Sequence, residues 1–242
     1  MLILAIESSA KPVSVAVSLD DKLLGQYYQN SSLTHSRTLL AMTESLIKNL
    51  DIKLSEIDLF AVSRGPGSFT GIRIGVSAVK GLAWGKDKPV CGISTLEAMA
   101  YQLSDSGVFL SEQSSVICPV MDAKRQQVYN ALFKLQNGSP LRIKEDRAIS
   151  LEELTDELRD INSNYILVGD GALISYEVLC KNDIKCMLTP SLLRYQTAYG
   201  VSRAALHAPL IDAAALEPIY LRPSQAERLR TLPPSSLIQK IL

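Results

Sequence analysis

The sequence has few of the residues that metal centres and disulfide frameworks need. Only two histidines occur among 242 residues, and they stand far apart at His35 and His207. Two imidazoles that bind one ion on a helix stand about three or four positions apart, so a local two-histidine zinc motif is excluded. The four cysteines include no Cys-x-x-Cys pair and are too sparse for a disulfide framework. This pattern predicts reduced thiols in a reducing compartment.

The chain also has no excess of charge of either sign. Its 25 basic and 25 acidic side chains give a formal net charge of zero, and the isoelectric point is near 6.7. A protein that binds nucleic acid through its own phosphate contacts usually carries a basic excess. The balance therefore predicts that any contact with nucleic acid depends on a partner.

No apolar run is long enough to cross a membrane. Apolar residues make up 47% of the chain, but nowhere do about 18 of them follow one another. The N-terminal run reaches Glu7 without a preceding positive charge and is too short for the core of a signal peptide. These absences predict a soluble cytoplasmic protein, and the length of 242 residues allows one large domain or two small ones.

The two halves of the chain carry the same predicted order of elements. The first half reads as strands at 2–7, 13–19 and 22–28, a helix at 33–50, a strand at 58–63, a helix at 68–85, a strand at 89–93 and a third helix. The second half reads as strands at 115–120, 126–135 and 141–148, a helix at 150–159, a strand at 165–168, a helix at 172–181, a strand at 184–188 and a helix at 191–207. This duplicated β-β-β-α-β-α-β-α order predicts the two-lobed α/β fold of actin, sugar kinases and Hsp70, the actin-like or ASKHA (ribonuclease H-like) fold.

A polar stretch at 105–114 separates the two halves. It predicts an N-terminal lobe at 1–108, a C-terminal lobe at 109–212, and a return arm and tail at 213–242. Repeated prolines in the last segment exclude a long helix there.

Glycines concentrate between Gly65 and Gly85, which hold six of the thirteen in the chain. Glycine inside a helix costs roughly 0.5–1 kcal/mol relative to alanine, so such a run needs a physical reason. Gly67, Gly71 and Gly75 stand four apart and leave one helical stripe without side chains. Three interpretations stay open: a phosphate-binding turn at a helix N-terminus, close packing within the lobe, and a helix-pair interface on the surface.

A nucleotide site of the kinase type has only fragments in the sequence. Proteins of this fold that bind ATP place an acidic residue and a Gly- or Ser/Thr-rich turn after the first strand of each lobe, and they carry a Gly-rich adenosine motif. The matching remnants are Glu7, Ser8, Ser9, Asp122, Gly169 and Gly171. Lys11 and Pro12 stand where a phosphate-binding turn would have glycines. ATP hydrolysis by the isolated chain is therefore disfavoured.

Short motifs in the first hundred residues form a specific set. They are ILAIESS at 3–9, His35-Ser36, SRGPGSFTGIRIG at 63–75, KGLA at 80–83 and VCGISTLE at 90–97. Together they resemble the TsaB family, formerly called YeaZ, the dimerisation subunit of the bacterial machinery that makes threonylcarbamoyladenosine (t6A) beside the tRNA anticodon. The resemblance thins over 101–222, and the tail after Arg222 matches no motif of the family.

The resemblance implies a protein without an active site that pairs with the catalytic subunit TsaD through two helices of the first lobe. TsaD-like proteins carry His-x-x-x-His on the first of these helices as metal ligands. Here Leu39 stands four positions after His35, which implies that no metal is bound. The contact surface implied by the resemblance and the glycine stripe comprises His35, Leu39, Met42, Phe69, Gly71, Ile72, Gly75, Val76 and Val79. In isolation the same surface is expected to form a homodimer.

The resemblance further implies a TsaE-like ATPase as a third subunit and contact with tRNA only through the complex. It implies no cofactor for the isolated chain, with ATP or ADP bound only in the complex. Two alternatives stay open. An ATP-dependent phosphotransferase or ATPase of the same fold requires tight binding of Mg-ATP, and a metallopeptidase requires a bound ion. Cys180 and Cys186 have no neighbouring histidine, which favours core or incidental cysteines over a metal site.

Overall fold

The computed structural model describes residues 1–31, 33–104, 106, 115–161 and 163–223. The first half of the chain forms β1 (Leu2–Glu7), β2 (Val13–Leu19), β3 (Lys22–Gln29), α1 (His35–Asn49), β4 (Leu59–Gly65), α2 (Phe69–Trp84), β5 (Val90–Ser94) and α3 (Thr95–Ser104). The second half forms β6 (Ser115–Asp122), β7 (Gln127–Gln136), β8 (Ser139–Ser150), α4 (Leu151–Ile161), β9 (Asn164–Val168), α5 (Ala172–Lys181), β10 (Cys186–Leu188), α6 (Ser191–Arg194) and α7 (Ala198–Ala205).

Two five-stranded sheets repeat one topology. The first has the order β3-β2-β1-β4-β5, and the second has the matching order β8-β7-β6-β9-β10. In each sheet the first strand of the half pairs antiparallel with the second and parallel with the fourth. This arrangement confirms the predicted duplication and the two-lobed α/β fold.

Helices cover both faces of the first sheet. Alternate residues of β1 point to opposite faces, and from Ile3 onward both sets are fully buried, which explains the continuous apolar run of that strand. Leu4 and Ile6 pack beneath α1 and α2, whereas Ile3 and Ala5 pack with α3 and α7. Helix α3 also contributes Leu96 to the core shared with the second sheet. Helices α1 and α2 therefore lie side by side on the face of the first sheet that is turned away from the second lobe.

The helix expected at 191–207 is two helices. The break falls at Tyr195 to Thr197, and the Thr197 hydroxyl caps α7 by accepting from the Gly200 amide at 3.4 Å. After the break, Ala198 and Val201 pack on the first sheet. The chain thus returns to the first lobe before the end of the segment predicted for the second lobe.

The return arm also lies on the first lobe. Lys80 donates from Nζ to the carbonyl oxygens of Ala214 and Leu216 at 3.0 Å each, and the Ile219 amide donates to the Arg64 carbonyl at 2.7 Å. The predicted lobe boundary at 105–114, apart from residue 106, and the tail at 224–242 lie outside the described residues. Among the described helices, none has the length and apolar character to cross a membrane.

Candidate functional site

The glycine stripe of α2 faces the end of β1, inside the first lobe. A Cβ added to Gly71 would lie 2.1 Å from the Ser8 carbonyl oxygen, and one added to Gly75 would lie 2.4 Å from the Ser8 hydroxyl oxygen. That hydroxyl donates to the Gly71 carbonyl at 2.9 Å. Only glycine permits this close approach of the helix to the Ser8 turn. Of the three interpretations of the glycines, the structure supports close packing within the lobe.

This packing corrects the predicted contact surface. Ile72 and Val79 are completely buried, and Leu39 and Val76 expose only 1% and 4% of their surface. They belong to the core beneath α1 and α2, and Gly71 and Gly75 are buried with them. Because these residues hold the helices to their own sheet, they cannot contact a partner while the lobe is folded. Their assignment to an exposed interface is wrong.

The other three residues of the predicted surface are half-buried and have partners within the chain. His35 Nε2 lies 2.7 Å from the Ala10 carbonyl oxygen. Phe69 stacks on Tyr220 of the return arm, with ring centroids 4.1 Å apart. Met42 packs against the edge of the lobe core. Each keeps part of its surface open to solvent.

A second stripe of apolar and small residues runs along α2, and its members Ile74 and Ala78 pack at the margin of the lobe core. Ile74, Ala78 and Gly81 are spaced by four and three residues, which puts them on one side of the helix, opposite Ile72. Ile74 and Ala78 are half-buried, whereas Gly81 is exposed and an added Cβ would meet no atom within 4 Å. At the end of the same helix, Trp84 exposes 72% of its surface. We call Ile74, Ala78, Gly81 and Trp84 the outer face of α2.

A cleft of about 840 Å³ opens between the lobes. The carboxyl ends of β1 and β6 meet there, which is where α/β folds commonly bind ligands. Of the six predicted nucleotide-site residues, Ser9 and Asp122 line the cleft, together with Asp170. Arg222 of the return arm also lines it and donates to the Ala123 carbonyl, so the arm contacts both lobes.

Glu7 is a buried carboxyl group at the end of β1. Its Oε1 accepts from the Ser9 amide at 2.6 Å and from the Ser9 hydroxyl at 2.5 Å. Burial nevertheless raises the pKa of Glu7 above its ordinary value; the Ser9 and Ser63 groups oppose that shift, and the charge of Asp170 adds to it. Burial likewise raises the pKa of Asp170, and the charge of Asp122 contributes. Asp122 and Asp170 thus line the cleft together with the basic side chains of Lys11, Lys124 and Arg222, while Glu7 lies buried at the end of β1.

We expect Glu7→Gln to change the pH dependence of stability. Because the folded pKa is raised, the contribution of Glu7 to the free energy of unfolding is largest below the ordinary value of 4.5 and falls as the pH rises through the folded pKa. The slope is at most about 1.4 kcal/mol per pH unit. Glutamine keeps an acceptor for Ser9 and carries no charge, so the variant should lose this decline.

Urea unfolding at a series of pH values measures the effect. Glu44→Gln, at an exposed position of α1, is the charge-matched control and should keep the wild-type profile. Identical profiles for wild type and Glu7→Gln would contradict the prediction.

The turn after β1 has its donors engaged within the protein. The Ser9 amide and hydroxyl donate to Glu7, and the Ser8 hydroxyl donates to α2. The Ser9 carbonyl oxygen accepts from the Ser68 amide at 2.6 Å. The Ser8 hydroxyl and the Ser9 amide and hydroxyl are therefore not free to bind a phosphate group. The first-lobe remnant therefore does not fit the phosphates of a nucleotide.

The glycines of the second-lobe remnant are packing residues. A Cβ added to Gly169 would lie 2.1 Å from the Val120 carbonyl oxygen, and one added to Gly171 would lie 2.8 Å from the Met121 carbonyl carbon. Asp122 accepts from the Lys124 amide at 2.7 Å and from its ammonium group at 2.6 Å. Neither half of the cleft thus presents a free set of phosphate-binding donors from the predicted remnant.

The metal-ligand pattern is likewise interrupted. Leu39, one turn after His35, points into the lobe core and supplies no ligand. Within the described ranges, no group of three or more His, Cys, Asp and Glu residues is placed to hold a metal ion.

Comparisons with known proteins extend over both lobes. A family model described as TsaD, tRNA N6-adenosine threonylcarbamoyltransferase, matches residues 25–208. The tRNA threonylcarbamoyladenosine biosynthesis protein TsaB of Bacillus subtilis is 30% identical over 179 residues, which cover 74% of this chain and 75% of that protein. Its Haemophilus influenzae counterpart is 30% identical over 234 residues, covering 92% and 94%. The solved structure of YeaZ from Pseudomonas aeruginosa superposes with a TM-score of 0.73 at 25% identity and covers 91% of this chain and 99% of that one.

Proposed function

The chain belongs to the TsaB (YeaZ) family, and from this membership we propose that it takes part in t6A biosynthesis as the non-catalytic partner of a TsaD-like threonylcarbamoyltransferase. The complex transfers a threonylcarbamoyl group from its adenylate to N6 of the adenosine beside the tRNA anticodon. This chain supplies a binding surface that stabilises and activates the catalytic subunit. Its place of action is the cytoplasm.

The outer face of α2 is the observation that carries the proposal. Its four residues are apolar or small and lie beside the exposed polar side chains of Arg73 and Ser77, and Trp84 at its end is 72% exposed. On α1, which covers the same face of the sheet, Leu40 is 54% exposed. Exposed apolar side chains are common at contact sites, and tryptophan often dominates the binding energy of such sites.

The small residues at the centre of this face fit a partner helix. Ala78 and Gly81 leave a shallow surface between the larger side chains of Ile74 and Trp84. Another helix can approach closely at small residues and pack its own side chains around them. In isolation, a second copy of the chain occupies the same face and forms a symmetric homodimer.

The remaining partners follow from the family and from the charge of the chain. A TsaE-like ATPase acts as the third subunit. Because the net charge is zero, tRNA is held through the complex and not by this chain alone. Nucleotide binds only where the partner completes the cleft, since the donors of the Ser8 and Ser9 turn are engaged within the lobe.

Omission of this chain from a reconstituted t6A reaction tests the proposal. With the catalytic subunit and the other purified components of the same organism, t6A formation should fall at least about a hundredfold, equivalent to ~2.7 kcal/mol. Titration of the isolated chain with Mg-ATP should show no binding heat. Unchanged t6A formation would contradict the proposal, and micromolar ATP affinity with turnover would establish the phosphotransferase alternative instead.

A further inference from the structure

Two cysteine thiols of the second lobe lie side by side. Cys180 is in the last turn of α5, and Cys186 begins β10, the edge strand of the second sheet. Their sulfur atoms are 3.8 Å apart. The connection between them is held in a tight turn, because the amides of Asn182 and Ile184 both donate to the Leu179 carbonyl.

The two thiols differ in environment. Cys180 is exposed, whereas Cys186 is half-buried. Burial, and secondarily the neighbouring Cys180, raise the pKa of Cys186 to about 12. Tyr176 lies one turn before Cys180, and its interaction with Cys180 raises the pKa of the tyrosine hydroxyl.

The other two cysteines are in a different situation. Cys91 and Cys118 are buried, and burial raises the pKa of each to about 12. Buried thiols of this kind react slowly with oxidants. They serve as internal references for the reactivity of the exposed pair.

We propose that Cys180 and Cys186 are a redox-sensitive dithiol that forms a reversible intramolecular disulfide in the presence of hydrogen peroxide. A disulfide needs the sulfurs to approach to about 2.0 Å. From 3.8 Å, the remaining distance is within the range of side-chain rotation at an exposed helix end. The site lies on the second lobe, whereas the outer face of α2 lies on the first, so this inference does not rest on the proposed function.

The reaction has two steps. The exposed Cys180 thiolate attacks peroxide, an S–O bond forms, the O–O bond breaks, and hydroxide leaves. This step oxidises the sulfur to a sulfenic acid and reduces the peroxide. The Cys186 sulfur then attacks the Cys180 sulfur, the S–S bond forms and the S–O bond breaks, while the second hydroxide takes the Cys186 proton to give water. The proton released when Cys180 ionises neutralises the first hydroxide, so in sum two thiols and one hydrogen peroxide give one disulfide and two waters.

Peroxide treatment of the reduced full-length protein tests the proposal. After quenching and alkylation, intact mass should show loss of two hydrogens, and peptide mapping should find one disulfide joining Cys180 to Cys186, with Cys91 and Cys118 alkylated. Dithiothreitol should restore four free thiols.

The variants Cys180→Ser and Cys186→Ser distinguish the thiol that attacks peroxide, Cys180, from the thiol that then forms the disulfide, Cys186. In Cys186→Ser, Cys180 should be trapped by dimedone as the sulfenic acid and should proceed to sulfinic acid at least about tenfold faster than in the wild type, which resolves it. In Cys180→Ser, Cys186 should stay reduced. Equal rates of sulfinic acid formation in wild type and Cys186→Ser, or a disulfide that joins two molecules, would overturn the proposal.

Discussion

Gly71→Val is expected to prevent stable folding of the first lobe. The new Cβ would lie 2.1 Å from the Ser8 carbonyl oxygen, which is backbone and cannot rotate away. Relief would require α2 to move off the sheet, and this would expose Ile72 and Val76 and break the hydrogen bond from the Ser8 hydroxyl to Gly71. We expect a loss of more than about 4 kcal/mol in the free energy of unfolding, a large part of the stability of a typical domain.

Gly81→Ala is the matched control on the same helix. Its Cβ meets no atom within 4 Å, so replacing glycine inside the helix should raise the free energy of unfolding by about 0.5–1 kcal/mol. Urea unfolding followed by circular dichroism compares the two variants. A Gly71→Val protein with wild-type stability would show that α2 does not lie on the Ser8 turn.

Gly81→Arg is expected to abolish t6A formation by the reconstituted complex while the chain stays folded. The side chain enters open space in the isolated molecule, so the stability of the chain should be unchanged or slightly higher. In the complex the same side chain would place a charge among Ile74, Ala78 and Trp84, where we propose that a partner helix packs. An unpaired charge in such a contact costs several kcal/mol, and we expect t6A formation to fall at least about a hundredfold.

Gln136→Arg adds the same charge at an exposed position of the second lobe and should leave t6A formation unchanged. Circular dichroism and thermal unfolding check that both variants are folded. Full activity of the Gly81→Arg complex would exclude the outer face of α2 from the contact.

The strands of both sheets could be predicted because each carries a clear pattern. β1 and β2 begin and end at the predicted residues, and α5 also has the predicted bounds. The repeat of element order was sufficient to predict the duplicated fold. The break between α6 and α7 was missed, since the apolar spacing continues through Gln196 and only the Thr197 cap marks a new helix start.

The direction of the glycine stripe could not be read from the sequence. Helical spacing shows that Gly71 and Gly75 share one side of α2, and glycine predicts close approach of another backbone. It does not identify the neighbour. Because α2 is apolar on both sides, with Ile72 and Val79 on one and Ile74 on the other, the side that faces the sheet is decided by tertiary packing.

The nucleotide remnants show the same limit. The sequence brought Glu7 and Asp122 to the ends of the first strand of each lobe, and the structure places both there. The spacing of the residues could not show that the backbone of β6 lies directly against Gly169 and Gly171. Nor could it show that Glu7 is buried and accepts a hydrogen bond from the Ser9 amide. These contacts join segments that are distant in sequence.

Direct measurement of binding between the purified chain and the catalytic subunit of the same organism tests the central claim. In sedimentation velocity, wild type and Gln136→Arg should each form a one-to-one complex with the catalytic subunit at concentrations about tenfold above the wild-type Kd, whereas folded Gly81→Arg should sediment separately there. Failure of the wild-type chain to bind the catalytic subunit, or wild-type affinity in Gly81→Arg, would contradict the proposal that this protein acts through the outer face of α2.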